Sequence, residues 1–183
     1  MDLLVFPIIF AYRMNDHKNI SDKKAPLLPV IIGTGLGSGF FPWGPGTAGS
    51  IVATLIWMIL TLFFPEGDTV SSITWFLIIF CSWTGMWAID RLRPFWGEDP
   101  SRVVIDEWVG VWAPLSIIRP DDYLWAIVAL LLFRFYDIVK PLGIKALDRK
   151  EGAVWVIADD LLAGLYSAFS LIIIKIVIAV WIK

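Results

Sequence analysis

TAGSIVATLIWMILTLFF, from Thr47 to Phe64, and VSSITWFLIIFCSWTGMWAI, from Val70 to Ile89, decide the fold class. A transmembrane helix takes about 20 mostly apolar residues, and these stretches of 18 and 20 residues contain no charged side chain. PEGD, Pro65 to Asp68, separates them with turn-forming residues, so the two read as a helical hairpin in a bilayer. The whole chain agrees. Its 183 residues are 58% hydrophobic and 17% charged, against about 45–50% and about 25% in an ordinary soluble domain. That excludes a water-soluble globule, and the length suits one domain, residues 1–183.

Working outward, Val103 to Ile118 is a weaker span, interrupted by Asp106, Glu107 and Pro114. It reads as a short span or as a re-entrant helix beside a polar cavity, where such residues are tolerated at membrane depth. Tyr123 to Phe133, continuing through Arg134 to Tyr136, is a further span with a charged end, and Val154 to Ile182 is the last. Those 29 residues would measure about 43 Å as a helix, so the first two turns, with Asp159 and Asp160, can lie in the interface. The expectation is an all-α polytopic bundle of four to five spans. Residues 1–32 hold two apolar runs, Leu3 to Tyr12 and Leu27 to Ile32, interrupted by Pro7 and Pro29 and too short to span. No basic residue precedes the first and no small-residue cleavage site follows it, so a membrane-surface segment is expected rather than a signal peptide.

Threading five spans in order places Arg13, Lys18, Lys23, Lys24, Arg91, Arg93, Arg102, Arg134, Lys140, Lys145, Arg149 and Lys150 on one side, with Arg119 and Lys183 on the other. The positive-inside rule makes the first side cytoplasmic. Lys175, inside the last span, is expected to snorkel outward. A net charge of −2 with no basic block argues against a nucleic-acid partner.

The acids carry the chemistry. Glu66, Asp68, Asp121 and Asp122 fall in outer turns, whereas Asp106, Glu107, Asp137, Asp159 and Asp160 stand at cytoplasmic span ends within apolar sequence. Ionisable residues there are functional candidates. Any one of them could be interfacial solvation, but three helix ends at one level bring carboxylates to one place. Adjacent members of each pair diverge by about 100° on a helix, so one can point into a site while the other supports it. Arg134, Asp137 and Lys140 share a helix face at i, i+3 and i+6, and Pro141 disfavours helix at Lys140. Oxygen ligands with no His or Cys nearby select a hard cation, magnesium over zinc. Carboxylates, a divalent ion and cations at an interface suit chemistry on a phosphate group.

GTGLGSGFFPWGPGTAGS, Gly33 to Ser50, matches neither a P-loop nor a dinucleotide fingerprint. Its alternating glycines, Gly35 and Gly37 among them, can expose backbone N–H groups to an anion. Thr47 is the expected N-cap of the first span, whose dipole would favour the same phosphate. Trp108, Trp112, Trp125 and Trp155 read as an interfacial belt or part of a lipid slot, the belt being preferred.

GTGLGSG, PGTAGS, DPSRVVIDEWVG, FRFYDIVKP and DDLLAG, in this order and spacing, resemble the phosphatidylglycerophosphatase A family of bacterial membrane phosphatases over about Gly33 to Gly164. The resemblance implies an all-helical, magnesium-dependent enzyme of the bacterial cytoplasmic membrane. Such an enzyme removes the terminal phosphate of phosphatidylglycerophosphate to give phosphatidylglycerol, with its site facing the cytoplasm. Carried onto this chain, it implies Asp106, Glu107, Asp137 and Asp160 as catalytic residues, and these with Asp159 as magnesium ligands. Arg134 and Lys140 would hold the phosphate, and Asp99 would support the site. EGAVWVIADD departs from the family pattern in having Ala153 and Trp155 where glycine is usual.

Other chemistries fit less well. Cys81 lies in an apolar span with Trp87 six residues on, where a cysteine phosphatase needs Arg. His17 has no evident activating partner. No Asp-x-Asp pair of the haloacid dehalogenase kind occurs. A small cation channel or transporter would spread its acids through the membrane depth, and a cytidine-nucleotide phosphotransferase would carry an Asp-Gly motif with spaced Asp residues.

Overall fold

A computed structural model describes residues 24–97, 100–141 and 143–181. The run Leu3 to Tyr12 and the carboxylate of Asp99 lie outside the described residues. The elements are α1 (Leu27–Gly33), a 3₁₀ turn (Ser38–Phe40), α2 (Pro45–Phe63), α3 (Gly67–Trp96), α4 (Ile105–Leu115), α5 (Tyr123–Val139), α6 (Ile144–Asp148) and α7 (Ala153–Trp181). All are helical, as the apolar periodicity requires. Three of them, α2, α3 and α7, are long and apolar enough to cross a membrane.

The two weaker spans, α4 and α5, are shorter than these three. With 17 residues, α5 measures about 26 Å, somewhat less than a hydrocarbon core of about 30 Å. With 11 residues, α4 measures about 16 Å and cannot span alone. Its chain nevertheless runs from one end of the bundle to the other. Asp106 at its start lies beside Asp160, whereas Pro120 beyond its end packs on Gly67, and Asp122 reaches Lys175 of α7 at 3.8 Å. Tyr123 Oη then meets Thr61 Oγ1, near the end of α2, at 3.3 Å. The segment passes through rather than re-entering, its short helix extended by the turns of residues 116–122.

Burial explains why so short and polar-ended a helix is stable. α4 sits at the centre, packed on α2, α3, α5 and α7, and Trp108 to Leu115 are all buried. Trp108 and Trp112 thus belong to the core rather than to an interfacial belt, and Trp112 donates its indole N–H to the Ala53 carbonyl at 3.0 Å. The crossing of α4 with α7 is close: a side chain at Gly164 would overlap the Gly110 carbonyl, and one at Gly110 would strike Phe133 and the Asp160 carbonyl. Pro114 has no N–H to donate to Gly110, so that carbonyl is left facing Gly164. The outward faces are apolar, with Phe76, Ile79 and Trp83 on α3 and Ile173, Ile176 and Val180 on α7 exposed, as suits helices surrounded by lipid.

Two local expectations change. Pro29 does not interrupt its apolar run, because it falls in the first turn of α1, where no helical N–H is needed. The N-cap of α2 is Gly44, at φ 91°, followed by Pro45 at the first helical position, which proline's fixed φ favours. Thr47 lies two residues further in.

Candidate active site

At one end of the bundle a cavity of about 420 Å³ opens, lined by the start of α2, the first turn of α4, the end of α5, the segment after α6 and the first turns of α7. Asp106, Glu107, Arg134, Asp137, Lys140, Asp159 and Asp160 all line it. Sequence spacing places these residues at three helix ends, and the packing of α4 between α5 and α7 brings the ends together.

Within the cavity the groups sort into two zones. Carboxylate oxygens of Asp106, Glu107 and Asp160 lie within 4.8 Å of one another. Glu107 Oε2 is buried without a hydrogen-bond partner. Three converging carboxylate oxygens have the all-oxygen chemistry that fits a hard divalent cation. Beside them Arg134 Nη1 holds Asp137 Oδ2 at 2.8 Å, stands 4.0 Å from Glu107 Oε1 and donates to Ser50 Oγ at 3.4 Å. Arg134 Nε is buried without a hydrogen-bond partner.

The acidic pair on α7 divides its work as helix geometry requires. Asp160 turns to Asp106 and Glu107, whereas Asp159 accepts from Lys140 Nζ at 2.9 Å. Lys140 also binds Asp148 of α6. Burial pulls the Lys140 ammonium toward losing its proton, but Asp148 and Asp159 outweigh this and hold its pKa above the ordinary lysine range. Lys140 stays charged. It ends α5 in the left-handed region at φ 47°, where Pro141 stops the helix.

The glycine-rich run reaches the cavity through Thr47 and its later glycines rather than through its earlier ones. Gly44 to Thr47 line the cavity, whereas Gly35 and Gly37 do not. Gly35 instead packs where a side chain would strike the Trp108 indole, and Gly37 faces open space. A side chain at Gly46 would overlap Glu107 Oε1 and come within 3.3 Å of Arg134 Nη1, so glycine lets the start of α2 reach the charged cluster. The signal for this was Pro45 followed by an apolar run, a helix-start pattern. Asp148, the partner of Lys140, carried none, because its role depends on where α6 folds back.

Comparison with known proteins now bears on this constellation. The family model Phosphatidylglycerophosphatase A matches residues 31–175. The chain belongs to the phosphatidylglycerophosphatase A family. It is similar to proteins named phosphatidylglycerophosphatase A from Haemophilus influenzae, at 34% identity over 79% of this chain and 88% of that one, and from Escherichia coli, at 30% identity over 83% and 87%. A Bacteroides thetaiotaomicron protein, provisionally named a phosphatidylinositol-3-phosphatase, is 45% identical over 87% of this chain and 98% of its own. No solved structure matches. Membership makes the protein a membrane phosphatase, and Asp106, Glu107, Arg134, Asp137, Lys140, Asp159 and Asp160 of the shared motifs line the cavity, whereas Arg102 does not.

Proposed function

We propose that the protein is a magnesium-dependent phosphatase that hydrolyses the terminal phosphomonoester of phosphatidylglycerophosphate at the cytoplasmic face of a bacterial inner membrane, giving phosphatidylglycerol and inorganic phosphate. The observation that carries this reading is the convergence in one cavity of an oxygen-only carboxylate trio with Arg134 and the start of α2. Asp106, Glu107 and Asp160 would hold the magnesium ion, with Asp137 and Asp159 beside them. When bound, the ion supplies Lewis-acid polarisation of the phosphate.

Arg134 binds the phosphate oxygens through its guanidinium and offsets the charge that grows on them in the transition state. Asp137, fixed at 2.8 Å, orients that guanidinium. Lys140 adds a permanent positive charge at the rim, and the N–H groups of Gly46 and Thr47, in the first turn of α2, favour an anion. Hydrolysis consumes one water: its oxygen bonds to phosphorus, the bond from phosphorus to the glycerol oxygen breaks, and that oxygen gains a proton. The lipid enters from the side, its acyl chains against the apolar helices. Twelve of the fifteen basic residues thread to the site's side, which supports a cytoplasmic orientation. An ion path would need carboxylates through the bundle's depth, and these gather at one end.

The Bacteroides relative's name favours phosphatidylinositol 3-phosphate as a second lipid to try. The test is phosphate release by purified protein from phosphatidylglycerophosphate, phosphatidylinositol 3-phosphate and phosphatidic acid. Chelation is expected to abolish release and magnesium to restore it better than zinc. Full turnover after chelation would refute the metal, and no turnover of any lipid would refute the reading.

A further inference from the structure

The cavity has a second charged zone that this hydrolysis leaves unused. Four cations line the cavity among the described residues: Arg134, Lys140, Arg149 and Lys150. The first two are tied to carboxylates, whereas Arg149 and Lys150 form no ion pair among the described residues. They follow α6 directly and border the opening, with the acid Glu151 after them. Lys150 Nζ sits 3.7 Å above the Trp155 ring, which holds the ammonium at the rim by cation–π attraction. Trp155 precedes Asp159 by four residues on α7, so it stands on the same helix face about 6 Å further out.

We propose that Arg149 and Lys150, the latter seated on Trp155, bind the phosphodiester of a lipid whose headgroup also carries the terminal phosphate to be removed. The proposal rests on the phosphatase reading above and adds the residues that recognise the diester. A phosphomonoester in the carboxylate pit leaves the diester, one short polyol bridge away, at the rim, where it meets two cations that form no ion pair among the described residues. Phosphatidylglycerophosphate and phosphatidylinositol 3-phosphate both have this pair of phosphates. Phosphatidic acid has one phosphate only, so once that enters the pit the rim has nothing to bind.

The experiment uses the full chain in non-ionic detergent micelles, with phosphatidylglycerophosphate and phosphatidic acid as paired substrates. The double substitution Arg149→Ser with Lys150→Ser is expected to lower the ratio of their kcat/KM values by roughly tenfold or more, the weight of two charge-assisted contacts at an exposed site. The loss should appear mainly in KM for the two-phosphate lipid. Arg149→Lys with Lys150→Arg should restore the ratio. A uniform loss on both lipids would overturn the proposal, since it would reveal only attraction to an anionic surface, and so would an unchanged ratio in an active enzyme. Wild-type protein inactive on every two-phosphate lipid would instead remove the phosphatase reading, and this proposal with it.

Discussion

Asp137 is placed where a structural contact and the proposed chemistry meet. It anchors Arg134 at 2.8 Å and forms part of the cavity wall. Asp137→Asn keeps its shape and removes its charge, so phosphate release from phosphatidylglycerophosphate is expected to fall about 100-fold or more with little change in thermal unfolding. A wild-type rate would exclude Asp137 from the reaction. Lys140 differs, because its two carboxylate partners tie the end of α5 to α6 and α7. Lys140→Met leaves the buried Asp159 carboxylate without compensation. The cost expected is about 2 kcal/mol, between the values for exposed and buried pairs, and a melt in detergent would read it. The i, i+3, i+6 spacing marked both residues beforehand, but Asp148 was invisible, since nothing local to it distinguishes a partner of Lys140 from a solvated acid.

At the scale of elements, two glycine contacts position the site. Gly46 admits the start of α2 against Glu107 and Arg134. Gly46→Ala adds one methyl group there and should push the helix start away from the cluster. Activity is expected to drop about tenfold or more, as displacements of under an ångström in an active site do, while the melting temperature holds. An unchanged rate would show that α2 has no part in binding phosphate. Gly164, under the Gly110 carbonyl, sets the distance between α4 and α7 and so between Glu107 and Asp160. Gly164→Leu overpacks this crossing and is expected to destabilise the fold by about 3 kcal/mol, at the upper end for inserted volume. A wild-type melt would mean that the helices do not meet there. Element type was legible from apolar runs, and the end of α5 from Lys140-Pro141. The length of α4 was not, because a helix buried on all sides need not match the bilayer.

For the whole molecule the governing quantity is the sidedness of charge. The cavity, Arg149 and Lys150 lie at one end, and Arg119 follows α4 at the other. In a Cys81→Ser background, Lys150→Cys should resist an impermeant thiol reagent on intact cells, and Arg119→Cys should react with it. The reverse pattern would invert the proposed orientation. The amino-acid sequence by itself determined the membrane class, the hairpin of the first two long helices, the side on which basic residues gather, and the carboxylates at three helix ends. These follow from hydropathy over a window, from turn-forming residues and from the order of spans, all local properties of the chain. Only the tertiary structure decided that Gly44 to Gly46 rather than Gly35 and Gly37 meet the cavity, that Trp108 and Trp112 fill the core, that Asp160 turns inward while Asp159 holds Lys140, and that Lys150 rests on Trp155. Each of these depends on which face one helix offers to another, and that is fixed by close packing between segments distant in sequence.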